Sequence, residues 1–273
     1  MLILTSFLWG SSFPVIKIIV THVSEYFYVG FRSLLAIIGL SPYVIYCMYT
    51  YRGRLSESVR GGLLTGIVYT LGLWLQGWGT RYTSASNSAF ITGLNVIFVH
   101  LYAGIVAKTY SVNLGLALLL SIAGLYMITI PSTGFNIGDF LVLLGSLMWA
   151  LQVIFVDKYC HGDPIIFTFF EMMPALTFLA PSLPHALGSI NLEITLLFIY
   201  LALICGDVAF ILQVMGQRQV NPGAAAIVFL LEPVFAAILS RILIGEIMST
   251  LQILGSILIL LAILTATYER KYL

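Results

Sequence analysis

Charge is what this sequence has least of. Of its 273 residues only 8% are Asp, Glu, Lys or Arg, against about 25% in ordinary soluble domains, and no soluble fold explains that deficit. A net charge of +1, with no basic tail and no basic patch interleaved with aromatics, sets nucleic acid aside as a partner. Cysteine is scarce too. Cys47, Cys160 and Cys205 lie far apart with no C-x-x-C pair, so neither a disulfide framework nor a zinc site is indicated, and they read as free thiols in or near helices. Catalytic and energising motifs are missing: there is no G-x-x-x-x-G-K-[ST] phosphate loop to support ATP-driven pumping, and neither H-E-x-x-H nor G-x-S-x-G occurs. The four histidines, His22, His100, His161 and His185, fall on different segments without metal spacing. No cofactor is therefore expected, and the chain does not read as an enzyme. Met1 to Leu8 lack the basic start and small-residue cleavage site of a removable signal peptide, so this segment reads as the first span.

What is present is apolar sequence, 60% of the chain. At about 20 residues per spanning helix, the length holds roughly ten crossings and little else. Stretches such as Leu114 to Ile130 and Ile247 to Thr267 are apolar on every face, whereas a β-barrel would alternate in segments of about ten. The 24 glycines and 9 prolines are tolerable in membrane helices, where neighbours satisfy freed backbone groups. Helices are expected near 2–20, 26–49, 60–80, 83–106, 112–130, 137–157, 163–183, 193–215, 222–243 and 247–267. With the N-terminus inside, the inner loops and tail hold Arg52, Arg54, Arg60, Lys108, Lys158, Arg218, Arg270 and Lys271, so both termini are expected on the cytoplasmic side.

An internal echo organises these helices. Leu75-Gln76-x-x-Gly79-x-Arg81 and Leu212-Gln213-x-x-Gly216-x-Arg218 match 137 residues apart, and Ala89/Ala226, Leu94/Leu231 and Phe98/Phe235 follow the same offset. Ser6-x-x-Trp9 and Ser146-x-x-Trp149 begin the two halves. The expected fold is therefore an all-α membrane protein of ten transmembrane helices, built as two five-helix repeats over 1–131 and 132–273. An odd number of helices per half makes the second repeat inverted, an arrangement that lets a central site face one side and then the other.

Ionisable groups at membrane depth each cost at least ~2.5–3.5 kcal/mol at a helix centre unless paired or hydrated, so they are the functional candidates. Glu232 sits beside Pro233 in helix nine, and its repeat partner is Asn95. Glu171 precedes Pro174 in helix seven, Asp207 lies in helix eight, and Arg32 and Lys17 lie toward the outer ends of helices two and one. Arg81 and Arg218 read as helix-end anchors or gates, and Arg241 and Glu246 as structural residues around Gly245. Trp9, Trp149, Tyr69, Gln76, Gln152 and Asn87 offer flat faces and polar tips for lining a pore, while Gly62/Gly66 and Ala236/Ser240 mark close helix packing.

Trp9-Gly-Ser-Ser12-Phe-Pro-Val-Ile-Lys17, Arg32 and Leu231-Glu-Pro-Val-Phe-Ala-Ala237 followed by Gly245-Glu246 resemble the drug/metabolite transporter superfamily, specifically its EamA-type ten-helix exporters, over essentially the whole chain. The resemblance implies inverted five-helix repeats, a central cavity formed by helices one to four and six to nine, and alternating access without ATP. It also implies outward movement of amino acids, other small metabolites or drugs. Ala150 departs from the pattern where the first half has Gly10, and Glu171 stands where Arg32 would suggest a base. The expected substrate is a small zwitterion bound among Trp9, Ser12, Lys17, Arg32, Tyr69, Gln76, Asn87, Asn95, Trp149, Gln152, Glu171 and Glu232. Proton coupling through Glu232 or Glu171 is the energising route these residues offer. A nucleotide-sugar or phosphorylated-metabolite exchanger is the alternative within transport, and a channel or sensor the alternative outside it. The partners expected are the lipid bilayer and the substrate, the oligomeric state is open with a monomer compatible, and the compact loops point to a cell (plasma) membrane.

Overall fold

A chain this apolar can satisfy its backbone groups in lipid only within helices or a closed barrel, and the helical solution is the one observed. The computed structural model describes residues 1–50, 56–107, 112–129, 135–186, 190–220, 225, 228–229 and 231–268. Its elements are α1 (Leu2–His22), α2 (Glu25–Thr50), α3 (Ser56–Tyr82), α4 (Ala85–Gly93), α5 (Asn95–Ala107), α6 (Val112–Thr129), α7 (Ile137–Tyr159), α8 (Pro164–Met172), α9 (Leu179–Ala186), α10 (Leu192–Ile199), α11 (Ala209–Gln217), α12 (Leu231–Ile244) and α13 (Thr250–Tyr268). Arg52, Arg54, Lys108, Arg270 and Lys271, on which much of the orientation argument rests, lie outside the described residues, as does Ala226 of the internal echo.

Six helical stretches among the described residues are long and apolar enough to cross a membrane: Leu2–His22, Glu25–Thr50, Ala85–Val106, Ile137–Tyr159, Pro164–Ser182 and Leu192–Gln217. Gly115–Met127 and Thr250–Ala262 are shorter apolar helices. Helix α3 has 27 residues but is not among the six, because its run includes Ser56, Glu57, Arg60, Gln76, Arg81 and several glycines and threonines. The expected helix near 222–243 lies partly outside the described residues.

Three expected helices are not uniform. The fourth is interrupted at Leu94, where Leu94 N–H bonds back to Ile91 and α5 starts afresh at Asn95. Gly93 and Asn95 are weak helix formers flanking that point. The seventh tightens into a 3-10 segment, Met173–Phe178, where the Pro174 ring cannot continue an α ladder. The eighth widens into a π segment, Tyr200–Val208, between α10 and α11. From there Cys205 Sγ reaches Leu8 O at 3.2 Å and Tyr200 Oη meets Ser11 Oγ at 2.5 Å, tying the segment to α1.

Small residues set the helix spacing. A Cβ on Gly62 would come within 2.5 Å of Phe167 O, and one on Gly66 would run into Glu171 O and the Pro174 ring, so α3 lies directly on the α8 backbone. Gly10 likewise lies on α12, where a Cβ would sit 2.7 Å from Glu232 O, close to Ala236. Lipid-facing positions carry Ile45, Ile105, Leu119, Ile122, Ile238 and Ile242, all exposed. Cys47, Cys160 and Cys205 are buried free thiols.

Two arginines make equivalent ties. Arg81, ending α3, donates to Val23 O, the C-cap of α1, at 2.5 Å. Arg218, ending α11, donates through Nε to Cys160 O, the C-cap of α7, at 3.1 Å. Each tie spans 58 residues, and the two are displaced by the same 137 as the sequence echo.

Candidate functional site

Eight of the described helices, with the stretch before α12, converge on one buried cavity. Trp9 and Ser12 enter it from α1, Arg32 from α2, Leu73 and Gln76 from α3, Thr92 from α4 and Asn95 from α5. Trp149, Gln152 and Val153 come from α7, Phe210 from α11, Phe229 from the stretch before α12, and Glu232 from α12. About 40 Å³ of it is open to the centres of water-sized molecules.

Eight of the twelve expected residues share this lining: Trp9, Ser12, Arg32, Gln76, Asn95, Trp149, Gln152 and Glu232. Arg32 is 3% exposed, donates from Nη1 to Tyr28 Oη at 2.8 Å, and has no ion-pair partner among the described residues. Its Nε–H finds no acceptor among them, and neither do the indole N–H groups of Trp9 and Trp149. Gln76 donates to Thr92 Oγ1 at 3.2 Å. Gln152 and Gln213 exchange reciprocal amide bonds at 3.1 and 2.9 Å. Aromatic rings form the wall: Phe210 lies 5.0 Å from Trp9 and 6.2 Å from Trp149, and Phe229 lies 5.3 Å from Trp9.

The other four expected residues sit elsewhere. Lys17 donates to Thr80 O, Arg81 O and Thr83 O at 2.9, 3.0 and 2.7 Å, so its ammonium is committed to the open carbonyls at the end of α3. Asn87 lies in the first turn of α4 and accepts from Gln252 at 3.2 Å. Tyr69, fully buried, backs the wall with its ring 5.9 Å from Trp149 and 5.1 Å from Phe210. Glu171, also fully buried, stands behind Gln152: Oε1 accepts from Gln152 Nε2 at 2.7 Å and Oε2 has no partner among the described residues. Asp207 is outside the lining and faces Gly39 of α2.

The lining residues that sequence reasoning missed are Leu73, Thr92, Val153, Phe210 and Phe229. A signal for most of them existed. Leu73/Phe210, Thr92/Phe229 and Asn95/Glu232 are each 137 apart, and Trp9/Trp149 and Ser12/Gln152 are each 140 apart, so ten lining residues form five pairs on the internal echo. Carrying the offset through every candidate would have found Phe210 from Leu73 and Phe229 from Thr92 only once one member was known to face inward.

Membrane-crossing helices gathered round a buried cavity with an acid, a base and aromatic walls define an integral membrane protein of the transport class. The EamA-like transporter family model matches residues 1–130 and 136–268, and the chain belongs to that family. Among relatives, an "Uncharacterized transporter" of Archaeoglobus fulgidus is 28% identical over 96% of this chain and 83% of its own length. The "Uncharacterized transporter YyaM" of Bacillus subtilis is 25% identical over 98% of this chain and 92% of its own. A solved crystal structure superposes with a TM-score of 0.64 at 14% identity, covering 100% of this chain and 98% of that one, a likeness of fold alone.

Proposed function

We propose that the protein is a secondary exporter of small zwitterionic metabolites, amino acids or close relatives, working by alternating access in the cell membrane with both termini in the cytoplasm. The observation that carries this reading is the pairing of Arg32 with Glu232 in one cavity walled by Trp9, Trp149, Phe210 and Phe229. Arg32 receives the carboxylate, Glu232 and Asn95 receive the amine, and the rings enclose the carbon skeleton. The five echo pairs in the lining and the matched Arg81 and Arg218 ties support two inverted five-helix halves and a ten-helix count. Glu232, at the cavity, is the residue through which proton coupling operates. Nucleotide-linked or phosphorylated substrates need several cations, and with Lys17 committed to carbonyls the described cavity offers one guanidinium.

The test is uptake of radiolabelled amino acids and nucleotide sugars into proteoliposomes, with Glu232→Gln and Arg32→Ala beside the unaltered protein. Saturable amino-acid flux that Arg32→Ala abolishes is the expected result. Nucleotide-sugar exchange, or no saturable flux, would overturn the reading.

A further inference from the structure

Three donor groups in the cavity have no acceptor among the described residues. Trp9 Nε1, Trp149 Nε1 and Arg32 Nε are each buried without a hydrogen-bond partner there, and all three side chains line the same space. Buried polar groups are almost always partnered, so three orphaned donors around one cavity call for an explanation. The rings themselves are already engaged: Trp9 packs on Phe210 and Phe229, and Trp149 on Tyr69 and Phe210. What the indoles have left to offer a ligand is the N–H edge. The guanidinium adds a positive charge with no ion-pair partner among the described residues. The two indoles come from matching Ser-x-x-Trp motifs on α1 and α7, so they approach the cavity from equivalent places in the two halves of the chain.

We infer that the indole N–H groups of Trp9 and Trp149, with Arg32 Nε–H, form a subsite for the substrate's carboxylate, making the carboxylate rather than the amine the obligatory group. The inference rests on the zwitterion reading and deepens it. A carboxylate presents two equivalent oxygens with about four lone-pair sites, enough for all three donors, and hydrogen bonds to it are charge-assisted. A neutral hydroxyl or an ammonium satisfies neither the donor count nor the charge. The tryptophans thus act through their nitrogens, beyond any role in covering carbon.

The experiment compares L-leucine, its 2-oxo acid and its decarboxylated amine as substrates in proteoliposomes, for the unaltered protein and for Trp9→Phe, Trp149→Phe and Trp74→Phe. Phenylalanine keeps an aromatic face and removes the N–H. Trp74 also has an unpartnered indole N–H but lies outside the cavity lining, so its variant controls for loss of an indole as such. The expected result is transport of leucine and the oxo acid but not the amine, with KM raised roughly tenfold by Trp9→Phe or Trp149→Phe and unchanged by Trp74→Phe. Transport of leucine with KM unmoved by either cavity variant overturns the carboxylate subsite and leaves the zwitterion reading standing. The subsite is equally overturned if the amine is carried and its KM rises as much as that of leucine, because the N–H groups would then only hold water. If the unaltered protein carries none of the three, both readings fall.

Discussion

At the scale of single residues, burial and partners separate side chains that look alike in the sequence. Lys17 and Arg32 are both bases near helix ends, yet one amine is tied to three carbonyls and the other charge stays open to a cavity. Lys17→Met should therefore cost about 2 kcal/mol of stability through the carbonyls left without a donor, with the KM of transport unchanged; thermal unfolding in detergent and flux measurement check the two halves of that statement. Glu171 and Glu232 divide in the same way. Glu171→Gln retains a carbonyl oxygen for Gln152 and should leave transport within about twofold, whereas Glu171→Leu leaves one Gln152 N–H without its acceptor, with only the pairing to Gln213 holding the amide, and should raise KM roughly tenfold. Glu232→Gln should remove the dependence of flux on an imposed pH gradient, and unchanged dependence would argue against a proton on that residue. Cavity position was legible for Trp9, Trp149, Ser12 and Gln152 because polar or aromatic groups stand out at membrane depth. Phe210 and Phe229 gave no such contrast in helices already rich in apolar residues. Lys17 was illegible for another reason: whether a lysine at a helix end meets a cavity or a neighbour's carbonyls is decided by the third dimension.

At the scale of elements, the apolar runs located most helices to within a few residues, since hydrocarbon demands long unbroken backbone pairing. The departures from regular helix were less legible. Pro174 marked the 3-10 segment, but nothing in Tyr200–Val208 announced a π ladder, which is sustained by contacts from Tyr200 and Cys205 to α1. The break at Leu94 is consequential because it lies between Thr92 and Asn95, both in the cavity lining, and so sets how these two side chains are presented. Close helix contacts were readable from glycine spacing, and they can be tested by size. Gly66→Val drives a branched side chain into the Glu171 carbonyl and the Pro174 ring, neither of which can swing aside, and should cost at least about 1–3 kcal/mol and most of the folded yield. Gly115→Val, where a Cβ meets nothing within 4 Å, should be recovered like the unaltered protein. Size-exclusion profiles in detergent distinguish the two outcomes.

At the scale of the whole molecule, hydrogen bonds join the two halves of the chain at both ends. Where α1 and α3 end, Thr83 Oγ1 donates to Asp139 Oδ1 at 2.6 Å, and Ser86 N–H points to the Glu246 carboxylate at 3.2 and 3.4 Å. Both links run from the first half to the second, and Gly245, with φ of 67°, makes the turn that delivers Glu246. At the opposite end Tyr43 Oη donates to Asp163 Oδ2 at 2.8 Å, again from the first half to the second, while Arg218 ties within the second half to Cys160 and Gly162, beside a recess of about 390 Å³ lined by Asp157, His161 and Gln217. The Thr83–Asp139 and Ser86–Glu246 links are expected to act as a latch on their own face. Thr83→Val with Glu246→Gln removes one hydrogen bond and weakens another, worth together about 1–3 kcal/mol, and should move the balance between conformations roughly 5- to 150-fold toward opening on that face. A cysteine introduced by Ser12→Cys, in a background with Cys47, Cys160 and Cys205 replaced by Ala, reports the change. A membrane-impermeant thiol reagent applied to the α1 C-terminal face should label it several-fold faster in the unlatched protein. Equal labelling from that face in both proteins would mean that these two links do not hold the halves together, and the closure would have to reside in helix packing alone.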